Sequence, residues 1–216
     1  MSKKWVYLST EGNKDMRDLL GGKGAGVAEM TNTGVPVPPG FTITTEACNE
    51  YFKIGKQFPE DLWNQALAAL AVIEEKTGKR FGNPENPLLV SVRSGAKFSM
   101  PGMMDTVLNV GLNPQTLEGI ARLTNNERFA WDAYRRLIQM FGGVVKGLAR
   151  EALETPLQRR KTARGVRFDH ELDESDLEAV IAELERVYSS ATGEPVPTDP
   201  RQQLRESVVA GFRSWN

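Results

Sequence analysis

The chain carries almost none of the residues from which disulfides, cysteine-based metal sites and histidine-based catalysis are built. Its 216 residues include one cysteine, Cys48, and one histidine, His170. A lone cysteine excludes an internal disulfide and any cysteine-rich metal site. A Ser-His-Asp or Cys-His mechanism would depend on His170, which stands in the charged stretch Arg167-Phe168-Asp169-His170-Glu171 and reads as a solvent-facing loop residue. An excess of one charge is missing too. Lys and Arg number 27 against 28 Asp and Glu, a net charge of -1, so no bulk field draws the chain to nucleic acid or to a membrane surface. No apolar run approaches the roughly 20 residues of a membrane-spanning helix. The N-terminal Met1-Ser2-Lys3-Lys4-Trp5 passes into a β-type run without a signal-peptide core. These absences predict a cytoplasmic protein.

What is present is ordinary for a globular protein: 40% hydrophobic and 25% charged residues, in a length sufficient for one large domain or two small ones. Residues 5–8 read as a strand, 9–18 as a loop, and the run Gly21-Gly22-Lys23-Gly24-Ala25-Gly26 as the start of a helix that Gly34 caps. Three prolines within 35–40 forbid a central strand until about Phe41. Thr45 is expected to cap a helix through Ile54. A second helix is expected with Pro59 in its first turn, Leu62, Ala66, Ala69, Leu70 and Ile73 on one face, and Gly78 at its end. Residues 88–92 read as a buried strand, 93–105 as an irregular loop, and 106–110 as a strand. From Asn113-Pro114 the pattern turns helical. A stripe of Phe129, Ala130, Ala133, Leu137 and Met140 ends at Gly142-Gly143, and a helix over 174–191 is capped by Asp173. A last helix starts at Asp199-Pro200 with Leu204, Val208 and Phe212 in register. It runs to Asn216 with no stop signal, which predicts that the domain continues and that this helix exposes an apolar face.

Three segments could carry chemistry. Lys23 sits among glycines at a helix start, where unpaired N–H groups, the helix dipole and close backbone approach favour phosphate. The run is not a Gly-x-x-x-x-Gly-Lys-Ser/Thr loop, and both a flexible turn and a phosphate site fit it. Arg93 directly follows a strand, where arginine can grip phosphate through two parallel hydrogen bonds or make a structural ion pair. The loop Ser99-Met100-Pro101-Gly102-Met103-Met104-Asp105 can present a nest of backbone N–H groups, with Met103 or Met104 against a purine or simply in a core. The basic segment Arg159, Arg160, Lys161, Arg164 and Arg167 is spaced like a solvated face. Asp173, Glu174 and Asp176 read as helix capping and dipole complement rather than a metal site.

Taken together these stretches resemble the pyruvate, phosphate dikinase family along the whole chain. The resemblance is carried by Leu19 to Ala25, by Gly34 to Thr45, with Val35-Pro36-Val37-Pro38-Pro39-Gly40-Phe41 at its centre, and by Asn86 to Ala96, which includes Val92-Arg93-Ser94. Ser99 to Thr106, Asn126-Glu127-Arg128-Phe129-Ala130 and Phe212-Arg213-Ser214-Trp215-Asn216 add to it. The glycine-lysine and Val-Arg-Ser elements are also found in phosphoenolpyruvate synthases and glucan, water dikinases, whereas the Ser99–Thr106 element is specific to the pyruvate, phosphate family.

The resemblance implies an α+β fold, an incomplete ATP-grasp domain with an all-helical insert. Residues 1–112 would form the first part of the nucleotide-binding subdomain, 113–197 the insert and 198–216 the start of a return segment. It implies ATP and Mg²⁺ as cofactors, with Lys23 and Arg93 catalytic at the phosphates and Ser99, Gly102, Met103, Asp105 and Thr106 also in contact with the nucleotide. No metal ligand is expected in this chain. Mg²⁺ carboxylates are expected beyond Asn216 and a phosphorylated histidine in a separate domain, with His170 not matching that motif. Pyruvate and phosphate would be substrates of the full enzyme, a homodimer through other regions, and this chain alone is expected not to turn over. The alternatives are a phosphoenolpyruvate synthase-like water dikinase and a free-standing, non-catalytic nucleotide-binding or regulatory module.

Overall fold

A computed structural model describes residues 3–94 and 106–215. The chain forms two compact units. The first comprises 1–78, 94–104 and 211–216, and the second 79–93 and 105–210.

In the first unit, strand β1 (Val6–Leu8) pairs antiparallel with β2 (Phe41–Ile43), matching Val6 with Ile43 and Leu8 with Phe41. Helices α1 (Arg17–Asn32), α2 (Thr45–Lys53) and α3 (Leu62–Thr77) complete it. The apolar face predicted for α3 is the buried one, with Leu62, Ala66, Ala69, Leu70 and Ile73 all inside. Gln65, on the same helix, anchors the N-terminal strand. Its amide oxygen accepts from Trp5 N–H at 2.7 Å and its amide nitrogen donates to the Lys3 carbonyl at 2.7 Å. Two boundaries shift. Thr44, not Thr45, caps α2, its hydroxyl accepting from Ala47 N–H at 3.2 Å. Pro59 precedes the first turn of α3, because Asp61 in the left-handed region starts that helix.

Cys48 on α2 is buried, its Sγ 3.8 Å from the Phe212 carbonyl, and burial pushes the thiol up to about 11. At pH 8 only about one molecule in a thousand carries the thiolate. Iodoacetamide should therefore modify Cys48 in the native protein at least about a hundredfold more slowly than in urea, and equal rates would contradict this burial.

The second unit builds two small sheets. Strands β3 (Arg80–Phe81) and β4 (Pro87–Leu88) run parallel, and β5 (Val90–Arg93) pairs antiparallel with β6 (Thr106–Val110) across a bulge between Val90 and Val92. The run 88–92 is thus not one buried strand. It breaks at Leu89 and feeds two sheets, with Leu88 buried and Val90 and Val92 half-buried. The helices are α4 (Pro114–Thr124), α5 (Glu127–Met140), α6 (Arg150–Arg164), α7 (Glu174–Thr192) and α8 (Pro200–Arg213). Residues of α8 through Ala210 belong to this unit.

Helix α5 is central, packing on α4, α7 and β6. Its buried stripe is Ala130, Ala133, Tyr134, Leu137 and Ile138, and each fully buried large side chain contributes about 1.5–3 kcal/mol over exposure. Phe129, expected in the stripe, is 51% exposed. The helix does not stop at Gly142-Gly143 but widens into a π turn over Phe141–Val145. Because β6 packs on α5, both strands of its sheet group with the helices, and the compact units are drawn at other residues than the segments 1–112 and 113–197.

The last helix does not present the apolar face expected of it. Leu204, Val208 and Ala210 are buried, and so is the amide of Gln203 between strand and linker. That amide accepts from Gly111 N–H at 2.9 Å and donates to the carbonyls of Leu112 and Pro197, both at 2.8 Å. In the first unit Phe212 is buried against the rings of Tyr51 and Phe58.

Candidate functional site

Lys23 owes its position to one glycine. Helix α1 is broken at Gly21, which has φ 67° and ψ 170°, a backbone region essentially reserved for glycine. The helical run that positions Lys23 therefore begins after Gly21, and Lys23 lies in its first turn as the glycine-rich sequence predicts. Gly24, next in that turn, lets the helix close on β2. A Cβ there would stand 2.8 Å from both Cγ2 and Oγ1 of Thr42. The Lys23 side chain is half-buried, and its ammonium donates to the Ser94 carbonyl at 2.8 Å. The first turn thus combines a positive dipole end, glycine backbone and an oriented cation.

Arg93 is the last residue of β5 and pairs in register with Thr106, the first of β6. Its side chain is exposed and has no ion-pair partner among the described residues. Ser99, Gly102, Met103 and Asp105 lie outside the described residues. Lys23 belongs to the first unit, Arg93 and Thr106 to the second. A cleft of about 270 Å³ in the first unit, lined in part by Ser9, Pro38, Pro39 and Lys76, includes none of these residues. His170 is exposed in a short 3-10 turn, stacked on Phe168. Among the described residues no group of three His, Cys, Asp or Glu side chains is placed to hold a metal ion.

The basic segment is more structural than its spacing predicts. Arg160 Nε bonds Asp176 Oδ1 at 2.7 Å, Arg164 Nε lies 3.1 Å from Asp176 Oδ2, and Asp176 is fully buried. Lys161 reaches Asp169 at 2.9 Å. Burial alone would raise the Asp169 carboxyl, but the bond from Lys161 and the nearby arginines hold it below its ordinary value. Asp173 and Asp176 form the capping box of α7, as their position in the first turn implies. Sequence reasoning missed Ser94 and Ser214. Ser94 was visible only as the residue after Arg93, and nothing local marks a partner 120 residues away.

A family model described as the pyruvate phosphate dikinase AMP/ATP-binding domain matches residues 17–56 and 53–194. The chain belongs to this family. It is 50% identical over 99% of its length to the pyruvate, phosphate dikinase of Clostridium symbiosum, covering 24% of that protein. It is 51% identical over 96% of its length to the chloroplastic pyruvate, phosphate dikinase of Mesembryanthemum crystallinum, covering 22%. With the chloroplastic pyruvate, phosphate dikinase 1 of Zea mays it shares 49% over 95% of its length, again covering 22%. The chain therefore spans about a quarter of the length of the curated relatives it matches. Mixed helices and small sheets agree with an α+β member of the family. Among the described residues, no helix is long and apolar enough to cross a membrane.

Proposed function

We propose that this chain binds ATP as the nucleotide-handling part of a pyruvate, phosphate dikinase, with Lys23 and Arg93 each contacting phosphate. The observation that carries the reading is the placement of Lys23, an oriented ammonium in the first helical turn after a kink that only glycine adopts well. Its role is to neutralise charge on the phosphoryl group in transfer, the main catalytic demand of that chemistry. Arg93, exposed at a strand end, supports the reading because a guanidinium can meet two phosphate oxygens at once. Ser99, Gly102, Met103, Asp105 and Thr106 are proposed to close over the nucleotide.

The fold proposed for this role is an ATP-grasp domain with residues 113–197 as a helical insert. The wider reaction would convert ATP, phosphate and pyruvate to AMP, pyrophosphate and phosphoenolpyruvate through a phosphohistidine on another domain, in a cytoplasmic homodimer. Mg²⁺, when bound, would offset negative charge on the phosphates. Among the described residues no group of carboxylates is placed to hold it.

Titration of the chain with ATP by calorimetry tests the reading. Lys23→Ala and Arg93→Ala should each weaken binding roughly 10- to 100-fold, the value of one charge-assisted hydrogen bond. ATP affinity unchanged in both folded variants would refute it.

A further inference from the structure

Lys23 is held from outside its own helix. The Ser94 carbonyl that accepts from its ammonium belongs to a residue 71 positions away and only 6% exposed. The hydroxyl of Ser94 meets that of Ser214 at 2.7 Å. Ser214 Oγ in turn donates to the Gly211 carbonyl at 2.9 Å. A serine hydroxyl has one proton. With the Ser214 proton on Gly211, the proton between the serines comes from Ser94, and the chain runs from Ser94 to Ser214 to Gly211. Pinning the Ser94 hydroxyl restricts that residue's rotamer and, through the shared Cα, the direction of its carbonyl.

We propose that Ser214 is a positioning residue for Lys23, fixing Ser94 so that the Ser94 carbonyl holds the lysine ammonium in one place. The inference rests on the phosphate role proposed for Lys23. An ammonium carries three N–H donors, so a fixed carbonyl contact is compatible with a phosphate contact. The lysine stem is long and flexible, and ordering it before the nucleotide arrives removes part of the entropy cost of binding. The residue that provides this order lies 191 positions from Lys23 and need not touch the nucleotide.

The test uses the 216-residue chain with two readouts. The first is nucleotide-free: reductive methylation of Lys23, followed by peptide mass spectrometry against Lys53 as internal reference. The second is ATP affinity. Ser214→Ala should raise the Lys23 methylation rate about threefold or more and weaken ATP about three- to tenfold, the size of one neutral hydrogen bond, while Ser214→Thr restores both. If Ser214→Ala melts below the assay temperature, Ser94→Ala removes the same contact from its other end and is scored identically. An unchanged methylation rate overturns the proposal. So does unchanged ATP affinity in Ser214→Ala when Lys23→Ala loses ATP, and that outcome leaves the phosphate reading standing. Wild-type ATP affinity in Lys23→Ala refutes the phosphate reading itself, and the positioning role falls with it.

Discussion

Replacing Asp132 by Ala should cost about 3–5 kcal/mol of stability, the penalty for leaving a buried charge without its partner. For a chain of this size that lowers the melting temperature by roughly 6–20 °C. Asp132 lies on α5 one turn before Arg135, whose side chain is 4% exposed. A single carboxylate oxygen accepts from Arg135 Nε at 2.9 Å and from an Arg135 terminal nitrogen at 2.6 Å. The other oxygen meets Arg136 Nε at 2.9 Å. Removing the carboxylate leaves Arg135 with the Gln139 amide oxygen and with Asp169 at 3.8 Å, too far for a hydrogen bond. Replacing both partners behaves differently, since a buried ion pair exchanged for apolar side chains is often neutral. The Asp132→Ala, Arg135→Met double variant should therefore recover most of the loss. Thermal and urea unfolding of the four proteins gives the cycle. A single-variant loss below about 1 kcal/mol, or a double variant worse than either single one, would contradict this account.

That network marks where local sequence stops being informative. Helix α7 was readable because its information is local: Asp173 at the cap, Asp176 three residues on, and Leu177, Val180, Ile181 and Leu184 at helical spacing, all buried. Arg160 and Arg164 looked solvated for the same reason in reverse. Their partner Asp176 lies 12 to 16 positions away, beyond the three- or four-residue reach that helical spacing reveals. Gly142-Gly143 looked like a stop because glycine is a poor helix former. There, however, the chain packs tightly enough that a Cβ on Gly142 would come within 3.2 Å of Leu153 Cδ2, and packing overrides propensity. The run 88–92 looked like one strand because apolar composition does not show which neighbour each residue pairs with. The candidate site divides the same way. That Lys23 stands in a first helical turn and Arg93 at a strand end was legible from the sequence. The hold on Lys23 was not, because it passes through a backbone carbonyl, a group every residue has.

Gly119 gives the other large effect, and the sign is what makes it informative. Glycine inside a helix is worse than alanine by about 0.8–1 kcal/mol, so propensity alone says that Gly119→Ala stabilises. The neighbours say the opposite. A Cβ on Gly119 would lie 2.1 Å from the Pro84 carbonyl oxygen and 3.0 Å from its carbon. Both are backbone atoms, in the turn between β3 and β4, and cannot rotate aside as a side chain would. Helix α4 must move off that turn, straining the Arg122 contact to the same carbonyl at 3.2 Å. Overpacking of this kind costs about 1–3 kcal/mol and more when backbone must shift, so a net loss of about 3 kcal/mol is expected. Gly26 in α1 is the control. It is exposed, and nothing lies within 4 Å of a Cβ built there, so Gly26→Ala should gain about 0.5–1 kcal/mol. One substitution in two helices should thus move the unfolding midpoint in opposite directions. If both raise it, the close approach of α4 to Pro84 is wrong.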